Sequence, residues 1–474
     1  MSLSKKVFSN FALQIISRTI ALLAGTLIIS LMMRYLGPRH YGYYSISIAF
    51  LQVFGIIADF GLYLISLRYL GEAESLPSKE KESRISYLMG NIFSLRLFSA
   101  FIFYGGAFAL SFLFPYPQIV KVAIGILSAS LFFCTLVQTL SAFYQKMLAT
   151  QSIFWGEVLG KIITLFLMLF LISRQASFYL ILAPFVFGNL VNFLILFFKA
   201  KAWISLRFRF DLIFWKKILK KCWPIGLAII FNVFYFKADT LILSFYYPAK
   251  EVGYYGGAYR VLEVLITIPP LFLGLVLPRL TQAWASHNLE KLKELFQKSF
   301  DFLVMLAWPL ILGTVILGKK IMILIGGPQF GPAGDILRIV IIGCGILFVG
   351  ELFKQLAVSL GQQKKILPFY LTTALFSLIG YFIFIPLYSY WGAALMTILS
   401  EFLMFFFAFF LFYRLTKILP SLTFFWKSLG ASLLMALVLF WLRDWSIFFL
   451  IFLAPLIYFS ALYLIGARPH KLSA

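Results

Sequence analysis

The chain has 474 residues, of which 62% are hydrophobic and 19% aromatic, and its mean hydropathy is +0.96. About half apolar is usual for a soluble domain, so this composition excludes a water-soluble protein and predicts an integral membrane protein. The net charge of +24 does not indicate nucleic-acid binding, because the basic residues are spread over many polar breaks. The three cysteines lack pairing or metal-ligand spacing, so no disulfide, metal site or cofactor is expected.

Apolar runs of about twenty residues, the length that crosses the hydrocarbon of a bilayer, recur along the whole chain. They are too long for barrel strands and do not alternate, so the predicted fold class is all-α, with backbone polar groups satisfied within helices. No room remains for a soluble domain. The fourteen predicted transmembrane helices are 11–33, 42–64, 85–113, 119–142, 152–172, 178–198, 222–247, 253–277, 299–325, 333–358, 366–387, 391–413, 422–442 and 446–466.

The basic residues predict the orientation of the chain. The N-terminal stretch MSLSKKVFSNF lacks the small-residue cleavage site of a secretory signal, so its helix is expected to be retained. Cytoplasmic loops carry an excess of Lys and Arg. With the N-terminus inside, eight of the 41 basic residues lie in external breaks and seven in or at the ends of spans, which leaves 26 on the cytoplasmic side. This bias predicts that both termini are cytoplasmic.

Two polar segments combine basic with apolar residues and predict helices in the membrane interface that face anionic lipids. The first, 199–222, carries eight Lys or Arg, and Asp211 is its predicted N-cap. The second is 286–300. We interpret both as interfacial anchors, with a regulatory site as the alternative.

The sequence repeats itself at an offset of 211 residues, because Gly-Tyr-Tyr at 42–44 recurs at 253–255 and further matches follow at the same offset. The repeat predicts two six-helix lobes, 1–210 and 211–420, followed by two additional transmembrane helices and a cytoplasmic tail in 421–474. Since six is even, both lobes enter the membrane in the same direction. Their pseudo-twofold axis is therefore expected to run along the membrane normal, an arrangement suited to alternating access.

Three segments resemble the polysaccharide-transport flippases, which export O-antigen and lipid-linked oligosaccharides and belong to the multidrug/oligosaccharidyl-lipid/polysaccharide (MOP) superfamily. They are RYLGPRHYGYYSISIAFLQVFGIIADFGL (34–62), KADTLILSFYYPAKEVGYYGGAYRVLEVLITIPPLFLGLVLPRLTQ (237–282), and FGPAGDILRIV and GQQKK within 330–365. The resemblance covers nearly the whole chain. It implies that a polyprenyl-diphosphate-linked oligosaccharide moves from the inner to the outer leaflet of the cytoplasmic membrane, without ATP hydrolysis by this chain. Candidate partners for such a function are anionic membrane lipids, H+ or Na+ as a coupling ion, and a polysaccharide polymerase with its assembly machinery.

Arg260 is the first candidate for substrate binding. A charge at the bilayer centre costs about 3 kcal/mol or more, so charged residues in spans face protein or a wet cavity. Arg260 lies seven residues beyond Gly253, roughly 10 Å along its helix from the external end. Its planar fork suits a diphosphate, and Glu263 lies on the same face. We expect contact with the substrate, with a structural pair to Glu263 as the alternative.

Three further basic residues in spans are substrate-binding candidates. Arg18 lies in the cytoplasmic third of the first span, where a lipid headgroup would be recruited. Arg96 lies near the middle of the third span, and an ion pair with Asp59 or Asp239 is the alternative. Lys237 is two residues from Asp239, so the two side chains do not share a face and are expected to have separate partners.

The carboxylates in spans are candidates for coupling transport to an ion. Their spacing in the sequence does not favour any one of them as the coupling residue. For Asp59, in the ADFGL stretch, a role in helix packing is the alternative. Glu157 with Lys161 and Glu351 with Lys354 have the spacing of intrahelical bridges, for which we expect a structural role. The four ion-coupling candidates are Asp59, Asp239, Glu263 and Glu401.

Three rival functions are less compatible with the sequence. A drug/cation antiporter of the same superfamily predicts a cavity dominated by carboxylates, whereas basic residues in the spans are at least as numerous. A membrane glycosyltransferase or polymerase needs acidic metal-binding motifs or a large external loop, and the longest external break is only 326–334. A scaffolding protein does not require buried charges or two lobes. We therefore expect a transporter with no catalytic residues.

Overall fold

The computed structural model describes residues 3–147, 149–202, 204 and 207–466, with side chains from Thr19 onward except at 78–79, 224–225, 228, 232–236 and 363. This described chain is almost entirely α-helical. Its helices are α1 (Leu3–Asp59), α2 (Leu62–Glu74), α3 (Ser78–Ser111), α4 (Gln118–Lys146), α5 (Thr150–Ser173), α6 (Phe178–Lys201), α7 (Leu212–Tyr246), α8 (Ala249–Leu265), α9 (Ile268–Ala285), α10 (Leu289–Gly326), α11 (Ala333–Ser359), α12 (Gln363–Thr416), α13 (Thr423–Trp441) and α14 (Ile447–Leu464).

The helices account for the predicted spans. Eleven stretches of the described chain are long and apolar enough to cross a membrane. Thr19–Glu74 has 56 residues and Lys364–Thr416 has 53, about 80 Å of helix in each case, so each is too long for a single crossing of a core about 30 Å thick. The 35-residue α7 adds another span. The all-α transmembrane prediction is confirmed, and each predicted span coincides with a helical segment to within a few residues.

The two long helical stretches each contain a sharp turn. Gly37 has φ 68° and ψ 173° inside α1, a conformation that glycine adopts without steric cost, and Pro38 follows it. Ser389 has φ 53° and ψ −137° inside α12. Its hydroxyl donates to the carboxylate of Glu251, and the Tyr247 hydroxyl donates to the Pro386 carbonyl at 3.0 Å. These contacts hold the second turn in place.

The two spans that open with Gly-Tyr-Tyr are both interrupted. The helix from Pro38 ends at Asp59, Phe60 and Gly61 have positive φ of 43° and 81°, and α2 continues from Leu62. In the second half, α8 ends at Leu265 and α9 begins at Ile268, just before Pro269-Pro270. Pro309 lies inside a continuous α10.

The chain forms two compact units, up to Lys237 and from Ala238. The core of the first unit joins α2, α3, α4, α6 and the start of α7. The core of the second joins α9 to α14, and Phe296 stacks on Phe412 at 4.7 Å between ring centroids. The Tyr458 hydroxyl of α14 lies 2.9 Å from the Met305 carbonyl of α10 and contacts Ser428 of α13. The predicted lobes and their pseudo-twofold axis stay predictions.

The sequence predicted separate interfacial helices for the two basic segments, but each segment is part of a longer helix. Residues 212–222 are the first turns of α7, and 289–300 are the first turns of α10. Helix α7 continues through Pro224, which removes one backbone hydrogen bond without ending the helix, and no proline or glycine lies in the first turns of α10. The predicted N-cap is confirmed, because the Phe214 N–H donates to Asp211 Oδ1 at 3.0 Å.

Helices α5 and α6 approach closely through glycine. A Cβ added at Gly188 would lie 1.9 Å from Thr164 Oγ1 and 2.7 Å from the Gly160 carbonyl oxygen. A Cβ added at Gly160 would lie 2.6 Å from the Gly188 carbonyl oxygen. Small residues at such positions let two transmembrane helices pack backbone to backbone.

We predict that Gly188→Ala lowers the free energy of unfolding by about 1–3 kcal/mol, because the methyl group forces α5 and α6 apart. Reversible unfolding in detergent micelles measures the change. Gly105→Ala is the matched control, since a Cβ added at this glycine on α3 meets no atom within 4 Å. Equal stability of the two variants would contradict the importance of this contact.

Candidate functional site

Arg96 forms a buried charge centre in the first unit. Its side chain is 2% exposed, and its Nη1 lies 2.8 Å from Asp59 Oδ1. The guanidinium also donates to the Ala58 carbonyl at 2.9 Å and to Gln138 Oε1 at 3.1 Å. Asp59 Oδ2 accepts from the Gly61 N–H at 3.2 Å. The predicted alternative, a pair with Asp59, is confirmed, and Arg96 fastens the end of α1 where the span is interrupted.

A polar pocket of about 530 Å³ lies beside this charge centre, inside the first unit. Helices α4, α5 and α6 form its walls, and Asp59 and Tyr63 close one side. Glu157 and Lys161 line it from α5, and the Lys161 ammonium lies about 4.0 Å from where a Cβ at Gly25 would be. The volume falls in the range of 300–1,000 Å³ typical of ligand pockets.

Arg260 and Glu263 form an ion pair on α8, with 2.6 Å between Nη1 and Oε2. Arg260 is 38% exposed and therefore far more accessible than Arg96, whereas Glu263 at 25% is about as exposed as Asp59. Tyr255 and Tyr259 are buried and lie on the same helix. The pair with Glu263 is therefore present, and the predicted contact of Arg260 with substrate stays a prediction.

Asp239 is fully buried on α7 and is surrounded by hydroxyl groups. Its Oδ2 accepts from the Tyr255 hydroxyl at 2.5 Å, and its Oδ1 accepts from the Thr240 N–H at 2.5 Å. The Tyr255 hydroxyl also lies 3.4 Å from Thr397 Oγ1 on α12. Tyr381 is hydrogen-bonded to Thr397 and is close enough to Asp239 to interact electrostatically. These oxygen atoms surround a carboxylate with the ligand chemistry that hard cations prefer.

Glu401 belongs to a second buried charge cluster. Lys354 Nζ lies 2.9 Å from Glu351 Oε2, so the predicted intrahelical bridge is confirmed. Glu401 of α12 is buried and close enough to Lys354 for an electrostatic interaction. The Gln355 amide donates to Glu351 Oε1 at 2.8 Å. This cluster ties α11 to α12, and a role of Glu401 in ion coupling stays a prediction.

The remaining candidates are less defined. Arg18 lies on α1, but its side chain is outside the described residues. Lys237 is half-buried on α7, two residues from Asp239. Among the described residues no group of three or more His, Cys, Asp or Glu could hold a metal ion.

Several pocket and cluster residues were missed from the sequence. Gln138, Asn189 and Asn192 line the polar pocket. They could have been identified from the sequence as amide side chains inside apolar spans. Tyr255 contacts Asp239 and is the last residue of the repeated Gly-Tyr-Tyr. The motif was visible, but the partner of its tyrosine depends on how α7 and α8 pack.

The stretch 207–211 is fastened to α3 before α7 begins. The Arg209 N–H donates to Ser94 Oγ at 3.2 Å, and the Asp211 N–H donates to Asn91 Oδ1 at 3.0 Å. The Tyr87 hydroxyl donates to the Asp211 carboxylate, and the Arg209 guanidinium lies 5.4 Å from the centre of the Tyr87 ring. The bond from Tyr87, followed by that from the backbone N–H of Phe214, holds the pKa of the Asp211 carboxyl below its ordinary value of 3.8.

Comparison with known proteins supports a transporter fold. Residues 31–335 match the family model described as "Polysaccharide biosynthesis protein". The probable flippase AglR of Haloferax volcanii is 24% identical over 169 residues, which are 34% of this chain and 34% of AglR. The alignment thus spans about a third of the length of this curated relative.

Two solved structures share the architecture. The lipid II flippase MurJ, in its inward closed conformation, superposes with a TM-score of 0.74 at 17% identity, covering 95% of this chain and 97% of MurJ. An inward-facing multidrug resistance transporter of the MATE family, from the MOP superfamily, has a TM-score of 0.68 at 13% identity and covers 85% of this chain and 99% of its own. At these identities the likeness establishes the fold alone.

We predict that Arg96→Met lowers the free energy of unfolding by about 3–5 kcal/mol, because it leaves the Asp59 carboxylate uncompensated in the membrane interior. Adding Asp59→Asn is expected to recover part of the loss. Unfolding in detergent measures both, and Arg68→Ala is the control, since the Arg68–Glu72 pair is exposed and worth less than about 1 kcal/mol. A stable Arg96→Met protein that has lost transport would instead indicate substrate contact.

We predict that acid releases the 207–211 stretch from α3. Because the folded pKa of Asp211 is lowered, its stabilisation is fully present above pH 3.8 and is lost as pH falls through the lower folded value. Hydrogen exchange of this stretch, corrected for intrinsic rates, is expected to rise in that acid range. In Asp211→Asn the rise is expected to be absent; an unchanged acid response in this variant would contradict the assignment.

Proposed function

This chain belongs to the polysaccharide biosynthesis protein family of the MOP superfamily, and we propose that it flips a polyprenyl-diphosphate-linked oligosaccharide from the inner to the outer leaflet of the cytoplasmic membrane. The family and the fold shared with flippases and transporters support this proposal. The lipid carries a diphosphate that cannot cross hydrocarbon without compensation of its charge. The chain must therefore offer accessible positive charge within a span.

The observation that carries the proposal is the accessible Arg260–Glu263 pair. A span residue with 38% of its side chain exposed and a full charge requires water or a polar ligand beside it. Arg96 and Lys354, by comparison, are buried and held by protein groups. We assign Arg260 as the diphosphate contact and Glu263 as the group that holds the guanidinium in place when substrate is absent.

Transport is proposed to proceed by alternating access of the two lobes, 1–210 and 211–420. The interruptions after Asp59 and after Leu265 lie in the corresponding spans of the two halves. Interrupted helices are positions where a span can bend between inward and outward states. These interruptions therefore support bending of the two Gly-Tyr-Tyr spans during the cycle.

Coupling to H+ or Na+ is proposed to involve Asp239. Asp239 is fully buried and receives hydrogen bonds from Tyr255 and Thr240. Binding of an ion at this carboxylate would change the contacts between α7, α8 and α12.

The polar first turns of α7 are proposed to contact anionic lipids of the cytoplasmic leaflet. Exposed apolar side chains alternate there with exposed Lys and Arg, the composition of an interfacial segment. A polysaccharide polymerase and assembly machinery are the protein partners that this function would require. The exposed residues of this surface are Arg207, Phe208, Arg209, Phe210, Leu212, Ile213, Lys216, Lys217, Lys220 and Lys221.

We predict that Arg260→Ala reduces the flipping rate of a fluorescent undecaprenyl-diphosphate oligosaccharide in proteoliposomes by roughly 10- to 100-fold, because a charge-assisted hydrogen bond to the diphosphate is lost. Arg260→Lys is expected to retain part of the activity, because it keeps the charge but not the planar fork. Both variants are compared at matched folded yield.

Arg338→Ala is the control, since Arg338 also pairs with an acid three residues away, Asp335 at 2.8 Å, with similar exposure. Equal flipping by Arg260→Ala and wild type would leave Arg260 with a structural role only. Absence of flipping by wild type, together with cation-dependent drug efflux, would favour the antiporter.

A further inference from the structure

The polar pocket of the first unit has no role in the mechanism outlined above. It extends along α5 from Thr150 to Thr164, fourteen residues apart and therefore about 21 Å of helix. The residues at its two ends on α5, Thr150 and Thr164, are both polar. In the predicted topology the Thr150 end opens toward the cytoplasm, where a lipid-linked sugar is made available. Resting on the proposed function, we propose that this pocket is a subsite for sugar residues of the lipid-linked oligosaccharide.

Four amide and four hydroxyl side chains, which both donate and accept hydrogen bonds, line the pocket together with the charged side chains of Asp59, Glu157 and Lys161. Gln138 Oε1 accepts from Arg96, Gln145 Oε1 accepts from the Tyr63 hydroxyl at 3.0 Å, and the Asn189 amide donates to Ser130 Oγ at 2.9 Å. Each contact fixes the orientation of one amide plane. Such preorganised amides match the vicinal hydroxyls of a sugar ring, each of which also donates and accepts.

One acceptor in the pocket wall lacks a partner. In the part of the chain that the structure describes, the Asn192 Oδ1 atom is buried and makes no hydrogen bond. Asn192 lines the pocket from α6, opposite Gly156, where an added Cβ would lie 2.4 Å from that oxygen. Buried acceptors are normally satisfied. Because this oxygen is enclosed between α5 and α6, under this proposal the Asn192 amide turns toward the pocket and accepts a hydrogen bond from a sugar hydroxyl when the site is filled.

The pocket also contains aromatic rings. Phe154, Phe185 and Tyr63 line it alongside the amides, and the flat apolar face of a pyranose packs on such rings. The larger cavity of the second unit, about 680 Å³, is lined almost entirely by phenylalanine and aliphatic side chains. The combination of amides with rings is therefore a property of this particular pocket and suits a sugar better than an acyl chain.

Cys134 lines the pocket and provides a native reporter. In a Cys222→Ser, Cys344→Ser background, the rate of Cys134 modification by a small methanethiosulfonate is measured by mass spectrometry. The probes are undecaprenyl diphosphate without sugar and the same lipid bearing oligosaccharides of hexose, N-acetylhexosamine or uronate type. We expect at least one sugar-bearing lipid to slow modification severalfold more than the sugar-free lipid does.

Asn192→Leu is expected to raise roughly tenfold the concentration of that lipid that halves the modification rate, because one hydrogen bond to the sugar is lost. The response to sugar-free lipid is expected to be unchanged. Ser432→Ala is the matched control, because Ser432 Oγ on α13 is likewise buried and without a hydrogen-bond partner in the described chain. It is expected to behave like wild type.

Equal protection by all four lipids would overturn the sugar subsite while leaving the flippase proposal intact. Protection by Na+ at constant pH in the absence of any lipid would also overturn it and would indicate a cation site. If wild type flips none of the lipids, the proposed function fails. Protection of Cys134 by millimolar free oligosaccharide, reduced in Asn192→Leu, would then still support sugar binding in this pocket.

Discussion

The hydrocarbon core of a bilayer offers no hydrogen-bond partner to a backbone amide or a charge, and the rest of this structure depends on that constraint. The chain meets it with long helices and with charges placed in pairs. Arg96 holds Asp59, Lys354 lies between acids of α11 and α12, and Arg260 holds Glu263. In each pair an opposite charge compensates a charge placed within the membrane, but the surroundings of the pairs differ.

The two arginines differ in how much of the side chain is exposed. Arg96 is buried and contacts a carboxylate, a backbone carbonyl and an amide, so its charge serves to fix an interruption in a span. Arg260 has a partner on its own helix and remains accessible. A cation that a ligand is to reach has to keep part of its surface open, and a nearby carboxylate limits the cost of the empty state.

Interrupted spans occur in both units, and close glycine contacts join α5 to α6 in the first. Close backbone packing of Gly160 against Gly188 leaves α5 and α6 little room to move relative to each other. The spans that open with Gly-Tyr-Tyr are interrupted after Asp59 and after Leu265. The partly exposed carboxylate of Asp59 belongs to the first of these spans, and the hydroxyl cluster at Asp239 lies shortly before the second in sequence. Rigid helix pairs beside interrupted spans suit a protein that must change shape while keeping its charges compensated.

The sequence by itself determined the membrane class, the helical fold and the fourteen spans, because hydropathy and helix length follow directly from the thickness of a bilayer. It also determined the N-cap at Asp211 and the bridge between Glu351 and Lys354, since both are local and depend only on helical spacing. The basic segments were misjudged as separate helices, because polarity marks an interface but not where a helix begins.

Only the tertiary structure decided which charges meet across helices. Asp59 and Asp239 were equal candidates as the partner of Arg96, and the packing of α1 on α3 selected Asp59. The polar pocket gathers residues from α4, α5 and α6 that are far apart in the chain. A single sequence records which side chains are polar, but the distances between helices that bring polar groups together arise from packing, and no periodicity encodes them.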